Sequence, residues 1–221
     1  MSDARANILR RLRAAPAGIT QPSSDWSVLR DRNWSMEEQI ERFRTMAESV
    51  NARVIDCVAP DDASRPLPSW DAVLAEDCAA NGVRRLAVSA PLAAPLQALW
   101  TGSPNRPDII LTADRDTLFS VDAGLTTARG GIAETGSLIL WPGPTEPRML
   151  SLVPPRHIAL LRTSRLHPTL WHAMTENGWA GQMPTNVVLA TGPSKTSDIE
   201  QTLVFGVHGP KDLLILLIYD H

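Results

Sequence analysis

Two glycine-rich segments hold the residues best suited to chemistry. In ARGGIAETGSLIL, residues 128–140, Gly130, Gly131 and Gly136 bracket Glu134, Thr135 and Ser137. Glycine allows a tight turn or a close backbone approach to a ligand. A carboxylate among small apolar neighbours costs several kcal/mol if it is buried without partners, so Glu134 must be either hydrogen-bonded or functional. As scaffold it would be fixed by neighbouring backbone N–H groups. As a working group it would be a nucleophile, a base or a ligand-ordering charge. The second segment, TGPSKTSDIE at 191–200, follows a strand predicted over 186–190. Its hydroxyls on Ser194 and Thr196, the Lys195 ammonium and a following helix start would offer a phosphate or carboxylate oriented N–H groups and a positive charge. Ser197 and Glu200 have capping-box spacing, so the stretch also reads as a plain helix start. It is not a Walker A loop, because Ser194 stands where that motif needs glycine before the lysine and Leu189 replaces the earlier glycine. A third segment, GVHGP at 206–210, places His208 in a glycine-flanked turn, as a turn residue or as an acid, base or ligand donor.

Positioning these segments requires regular structure, and the hydrophobic pattern supplies it. Ser35 followed by Glu38 is a capping box, and Met36, Ile40, Phe43, Ala47 and Val50 recur at helical spacing, which predicts a helix over 36–51. Beyond it, short β-branched runs alternate with helical stretches. Strands are predicted at 53–58, 84–89, 108–111, 118–125, 137–140, 157–162, 186–190 and 213–218. One helix carries Trp70, Val73, Leu74 and Cys78 and stops at Asn81–Gly82. Another is opened by Pro91, and a third runs from Pro168 to about Asn177. This alternation implies an α/β domain with a mainly parallel sheet and helices on both faces, with antiparallel pairing between 118 and 140, where helix is scarce. Ligands of such sheets bind at the carboxyl ends of the strands. Glu134 is therefore expected at the mouth of a pocket shared with the GPSKT loop and His208. Residues 1–34, an arginine-rich helix followed by an irregular linker with Trp26 and Trp34, precede the single domain expected over 35–221.

Composition closes off several classes. The 221 residues carry 21 Lys and Arg against 24 Asp and Glu, a formal charge of -3, without the basic footprint of a nucleic-acid binder. The longest aliphatic run, 213–218, is far shorter than the roughly 18–20 residues of a membrane helix. Arg5, Arg10, Arg11 and Arg13 interrupt the apolar core that a secretory signal would need, so a cytoplasmic location is expected. Cys57 and Cys78 have no CxxC spacing and read as core thiols, neither zinc nor iron–sulfur ligands. His157, His167, His172 and His221 share no ligand spacing, and neither GxSxG nor GxGxxG occurs. No cofactor is readable.

Taken together, GGIAETGSLIL (130–140), LSLVPPRHIALL (150–161) and GPSKTSDIEQTLVFGVHGP (192–210) resemble the LUD domain of the lactate utilisation protein C family, in that family's order and at similar separations. Glu134, Thr135 and Gly136 fall on its IAETG. Gly192, Pro193, Ser194, Thr196, Asp198, Ile199 and Glu200 fall on its GPS-x-T-x-DIE, and Gly206, His208, Gly209 and Pro210 on its GVHGP. Lys195 lies at a variable place. The resemblance implies a three-layer α/β/α fold like that of the NagB, ribose-5-phosphate isomerase and CoA-transferase superfamily. It also implies the cluster-free component of a bacterial system that oxidises L-lactate to pyruvate, beside subunits carrying iron–sulfur clusters. On that reading the chain recognises a small carboxylate or phosphate-bearing anion through Glu134, His208, Thr135, Gly136, Gly192, Ser194, Lys195, Thr196 and Asp198. A free-standing CoA-transferase-like enzyme using Glu134, or a purely structural docking subunit, are the alternatives.

Overall fold

The computed structural model describes residues 2–14, 27–102, 106–111, 115–196, 204–206 and 209–220. They fall into two compact units, Met1–Asp31 and Arg32–His221. The first unit contains α1 (Ser2–Ala14), with Ile8 and Leu12 exposed, and the single turn α2 (Ser27–Arg30). The second runs, in chain order, through α3 (Met36–Ser49), β1 (Arg53–Val58), α4 (Trp70–Ala80), β2 (Arg85–Val88), α5 (Ala90–Leu99), β3 (Asp108–Leu111), α6 (Arg115–Leu118), β4 (Ala123–Thr127), β5 (Gly130–Ile132), β6 (Ser137–Leu140), α7 (Met149–Leu152), β7 (Arg156–Arg162), β8 (Leu166–His167), α8 (Leu170–Glu176), β9 (Val188–Ala190), β10 (Lys195–Thr196), β11 (Val204–Phe205) and β12 (Asp212–Tyr219).

Six strands form one sheet in the order β1-β12-β7-β4-β2-β3, and every neighbouring pair is parallel. The α/β class expected from the alternation is what the chain adopts. Its last strand shows why the sheet is central: Leu214, Leu216 and Ile218 pack into one apolar cluster with Leu74 of α4 and Leu96 of α5, while Leu213, Ile215 and Leu217 pack into another with Phe43 and Ala47 of α3. A strand buried on both faces needs a continuous apolar run, which is why 213–218 has no polar residue. The α3 helix begins where the sequence places it. Ser35 Oγ accepts from the Glu38 N–H at 3.2 Å, and Glu38 returns the bond to the Ser35 N–H at 2.8 Å.

A second sheet, β8-β5-β6-β9, lies over the α3 face and was not announced by the alternation. Its β5–β6 pair is antiparallel, as expected between 118 and 140. Leu138 and Leu140 point into the α3 cluster, and Ile132 and Ile139 meet Ala173 of α8 and Trp179 on the opposite side. Two predicted strands need correction. Residues 118–125 are not one strand: Leu118 ends the short helix α6, Val121 follows it, both are buried with Leu150 of α7, and β4 starts only after Asp122, whose carboxylate accepts from the Arg84 and Arg85 N–H groups. Residues 188–190 do form a strand, but it pairs antiparallel with β6 and is no member of the parallel sheet.

The two ends of the parallel sheet differ in kind. At the amino end, buried Asp77 of α4 is held by Arg53 at 2.7 Å and Arg156 at 2.9 Å, and Arg156 also reaches Asp212 at 2.5 Å. These pairs tie the starts of β1, β7 and β12 to one helix. The carboxyl end is open.

Candidate functional site

AETG, residues 133–136, is the four-residue connection between β5 and β6. Gly136 N–H closes it onto the Ile132 carbonyl at 2.9 Å, and Glu134 N–H bonds Pro168 O at 3.0 Å. Gly136 sits at φ +66°, and a Cβ there would run into the α3 backbone at Met46 and Ala47. The close approach of the turn to α3 thus requires a glycine here. Glu134 itself is not buried. Its side chain is about one-third exposed and faces Arg32 at 3.7 Å.

The GPS segment runs beside Gly206 and Pro210 and forms an arm with them. Ser194 N–H bonds Pro210 O at 2.8 Å and Gly206 N–H bonds Ser194 O at 2.9 Å, so the two segments run side by side into the β10–β11 hairpin. Lys195 and Thr196 are strand residues, opposite Phe205 and Val204. The predicted helix start at Ser197–Glu200, with Asp198, and the turn residue His208 lie outside the described residues. Gly192 has φ +94°, and its Cβ position is filled by Val50 at the end of α3, the carbonyl oxygen lying 2.7 Å away. Sequence-distant motifs do meet: Ser137 Oγ lies 2.7 Å from Thr135 Oγ1 and 2.5 Å from Thr191 Oγ1, a hydroxyl chain that joins the AETG turn to the start of the GPS arm.

Glu134 lines a cleft. Around it stand Arg32, Trp34, Glu38, Glu41 and Arg42 in a space of about 620 Å³, and none of the lining residues comes from the described part of the GPSKT arm. Trp34 lies under Arg42, 4.3 Å from guanidinium to ring centre, and under Arg32 at 5.7 Å. Three carboxylates face two guanidinium groups, so charge alone does not favour a small anion there. Among the described residues, the turn and the arm are joined by the hydroxyl chain, while the Glu134 carboxylate lines the cleft with Arg32 and Trp34.

A second cleft, of about 510 Å³, lies at the carboxyl end of the parallel sheet. Strand order reverses between β2 and β4, since β3 continues to one side of β2 and β4, β7 and β12 to the other. Such a reversal leaves a crevice outside the strand ends. Ser89 after β2, Thr127 and Ala128 at the end of β4, Arg162 at the end of β7 and Ile218 of β12 line it, with the first residues of α4 and α5 beside them. Glu146 reaches in from the β6–α7 loop and accepts from the Thr127 N–H at 2.8 Å and the Thr127 hydroxyl at 2.9 Å. Burial raises the Glu146 carboxyl above its ordinary value, and those bonds only partly offset it. Arg129 and Arg165 also line the cleft, Arg129 lying 5.3 Å from the Trp141 ring centre. Sequence reasoning passed over Ser89, Glu146, Arg129, Arg162 and Arg165. The one available signal was the strand–Ser–Ala–Pro junction at 85–91, where a parallel strand feeds directly into a helix.

Fold and cleft define a parallel α/β protein with an open, arginine-lined carboxyl edge. The LUD domain family model matches residues 106–218, and the chain belongs to that family. It is 35% identical to "Uncharacterized protein NMB1437" of Neisseria meningitidis serogroup B, over 99% of this chain and 95% of that protein. It is 29% identical to "Lactate utilization protein C" of an Exiguobacterium species, over 84% of this chain and 80% of the relative. Among solved structures, a DUF162 family protein from Deinococcus radiodurans shares the fold with a TM-score of 0.61 at 21% identity, covering 84% of this chain and 99% of that one.

Proposed function

We propose that this protein is the cluster-free component of a bacterial system that oxidises L-lactate to pyruvate, working in the cytoplasm beside iron–sulfur subunits. The observation that carries the reading is family membership together with relatives named lactate utilization protein C. The thiols agree with it: Cys57 and Cys78 are both buried, and burial, with Asp56 and Asp77 respectively, pushes each up to about 12, so neither offers a thiolate to a cluster. In this reading the working domain is 35–221, of the NagB, ribose-5-phosphate isomerase and CoA-transferase kind, and 1–34 is an appended helix and linker. The face where the AETG turn meets the GPS arm engages a small carboxylate or phosphate-bearing ligand. Thr135, Ser194, Lys195, Thr196 and Asp198 contact that ligand, Gly136 and Gly192 set the close packing behind it, and Glu134 and His208 are the acting groups.

Lactate growth of a deletion strain complemented with Glu134→Gln, beside thermal unfolding of the pure variant, tests this. The Arg32–Glu134 pair is long and over one-third exposed on the arginine side, so solvent screening leaves it worth under about 1 kcal/mol. A functional carboxylate therefore gives normal melting and lost growth. Normal growth with a clearly lowered melting temperature would assign Glu134 to the scaffold. Affinity purification from the native host tests the partners: iron–sulfur proteins should co-elute, and their absence removes the complex from the proposal.

A further inference from the structure

The carboxyl-edge cleft combines four features that the family motifs do not use. First, it is positively biased: Arg129, Arg162 and Arg165 line it against the single carboxylate of Glu146. Asp220, 3.6 Å from Arg162 and held as well by the Ser164 N–H at 3.0 Å, the Ser164 hydroxyl at 2.7 Å and the Thr163 hydroxyl at 3.1 Å, offsets part of that guanidinium's charge, so three cations face two carboxylates and the bias stays positive. Second, α5 opens into it. Ser89 is the N-cap residue but makes no side-chain cap bond, and Pro91 follows within the first turn. Pro91 has no N–H, and the Leu92 and Ala93 N–H groups close onto the Ser89 carbonyl at 3.0 and 3.2 Å, so what the helix start presents to negative charge is the positive end of its dipole rather than a row of free donors. Third, the Ser89 hydroxyl lines the cleft with its residue only 1% exposed and completes no hydrogen bond of ordinary geometry, though it lies close enough to Glu146 to help hold that carboxylate's charge. A buried hydroxyl in that condition is costly without a further acceptor. Fourth, apart from Thr127 and Thr145 the remaining wall is apolar and aromatic, with Trp70, Leu92, Leu160, Ile218 and Trp141.

From these we infer that the cleft is a binding site for a nucleotide-sized phosphate ester. Its phosphate sits between the α5 start, the Ser89 hydroxyl and the arginines, and its base lies against the indole and aliphatic wall. A monocarboxylate would bring one charge and two oxygens to three guanidinium groups. A phosphate ester brings up to two charges and three strong acceptor oxygens, which matches the donor set better. The volume falls in the ordinary range of small-molecule sites. Arg129, already over Trp141, can keep that stack while turning its guanidinium edge to the ligand. Glu146 is the acceptor left for a hydroxyl or amine of the same ligand. The inference does not rest on the role in lactate oxidation, and none of the cleft's lining residues belongs to the AETG or GPS segments.

Calorimetric titration of the full chain with AMP, adenosine and inorganic phosphate tests it. AMP should bind saturably at one site per chain, adenosine at least about tenfold more weakly, and inorganic phosphate should compete with AMP. Arg162→Glu and Arg165→Glu should each weaken AMP about tenfold or more with unchanged thermal unfolding; if a reversal unfolds the chain, Arg165→Gln is read instead. Glu134→Gln should keep full AMP affinity whatever its growth phenotype, which separates this site from the preceding proposal. No saturable AMP binding, equal affinity for AMP and adenosine, or AMP affinity indifferent to the arginine variants would overturn the assignment.

Discussion

Replacing His157 with glutamine should flatten the acid limb of the stability curve. His157 lies on β7, wholly inside the molecule, with Nε2 2.8 Å from the Thr126 hydroxyl of β4. Burial lowers its pKa from 6.5 to about 4. The unfolded chain therefore takes up a proton at this site below about pH 6.5, and the folded protein only below about pH 4. Between those values the unfolded state binds more protons, so stability rises with pH; the contribution is complete above 6.5 and is lost as pH falls through the window. A shift of this size corresponds to roughly 3 kcal/mol at 1.36 kcal/mol per unit. Glu146 acts with the opposite sign, because its raised pKa makes the folded state the better proton binder above the ordinary carboxylate range. That term is common to both proteins and cancels in their difference. Urea unfolding at intervals from pH 7 to pH 4 should show the wild type losing about 3 kcal/mol more than His157→Gln, whose amide can still bond Thr126. Parallel curves for the two proteins across pH 4.5–6.5 would refute the reasoning, since the imidazole would then not be held neutral by burial.

Gly136→Ala should cost about 2–4 kcal/mol, because the new methyl meets the α3 backbone at a positive φ; the shift in urea midpoint measures it. Asp77→Ala should lose about 3 kcal/mol, the low end for a broken buried pair, because Arg156, itself mostly buried, loses one carboxylate but keeps Asp212, and Asp77→Asn should recover part of that in the same unfolding assay. With both thiols raised to about 12, iodoacetamide at pH 8 should label neither cysteine of the folded protein and both in denaturant; mass spectrometry counts the adducts.

Local signals determined a large part of this molecule. The Ser35–Glu38 box starts α3, Asn81 and Gly82 stop α4, and the uninterrupted run 213–218 is a strand buried on both faces, each for reasons contained within a few residues. The need for glycine at 136 follows from the close approach of α3, although a tight connection or a ligand loop at the AETG segment was legible. Which way Glu134 faces was not. That depends on α3 and on residues 32–34, a hundred positions away, which supply Arg32 and Trp34 to its cleft. Residues 118–125 misled because alternating apolar residues read the same in a strand and in a short buried turn, and only the capture of Asp122 by the Arg84 and Arg85 N–H groups fixes where β4 begins. The arginine-lined cleft was the least legible feature. Its residues come from the ends of β2, β4, β7 and β12 and from the β6–α7 loop, and no spacing links them. Strand order brings them together, and strand order is set by which apolar faces can be buried against which helices, a choice made by the packed whole rather than by any segment.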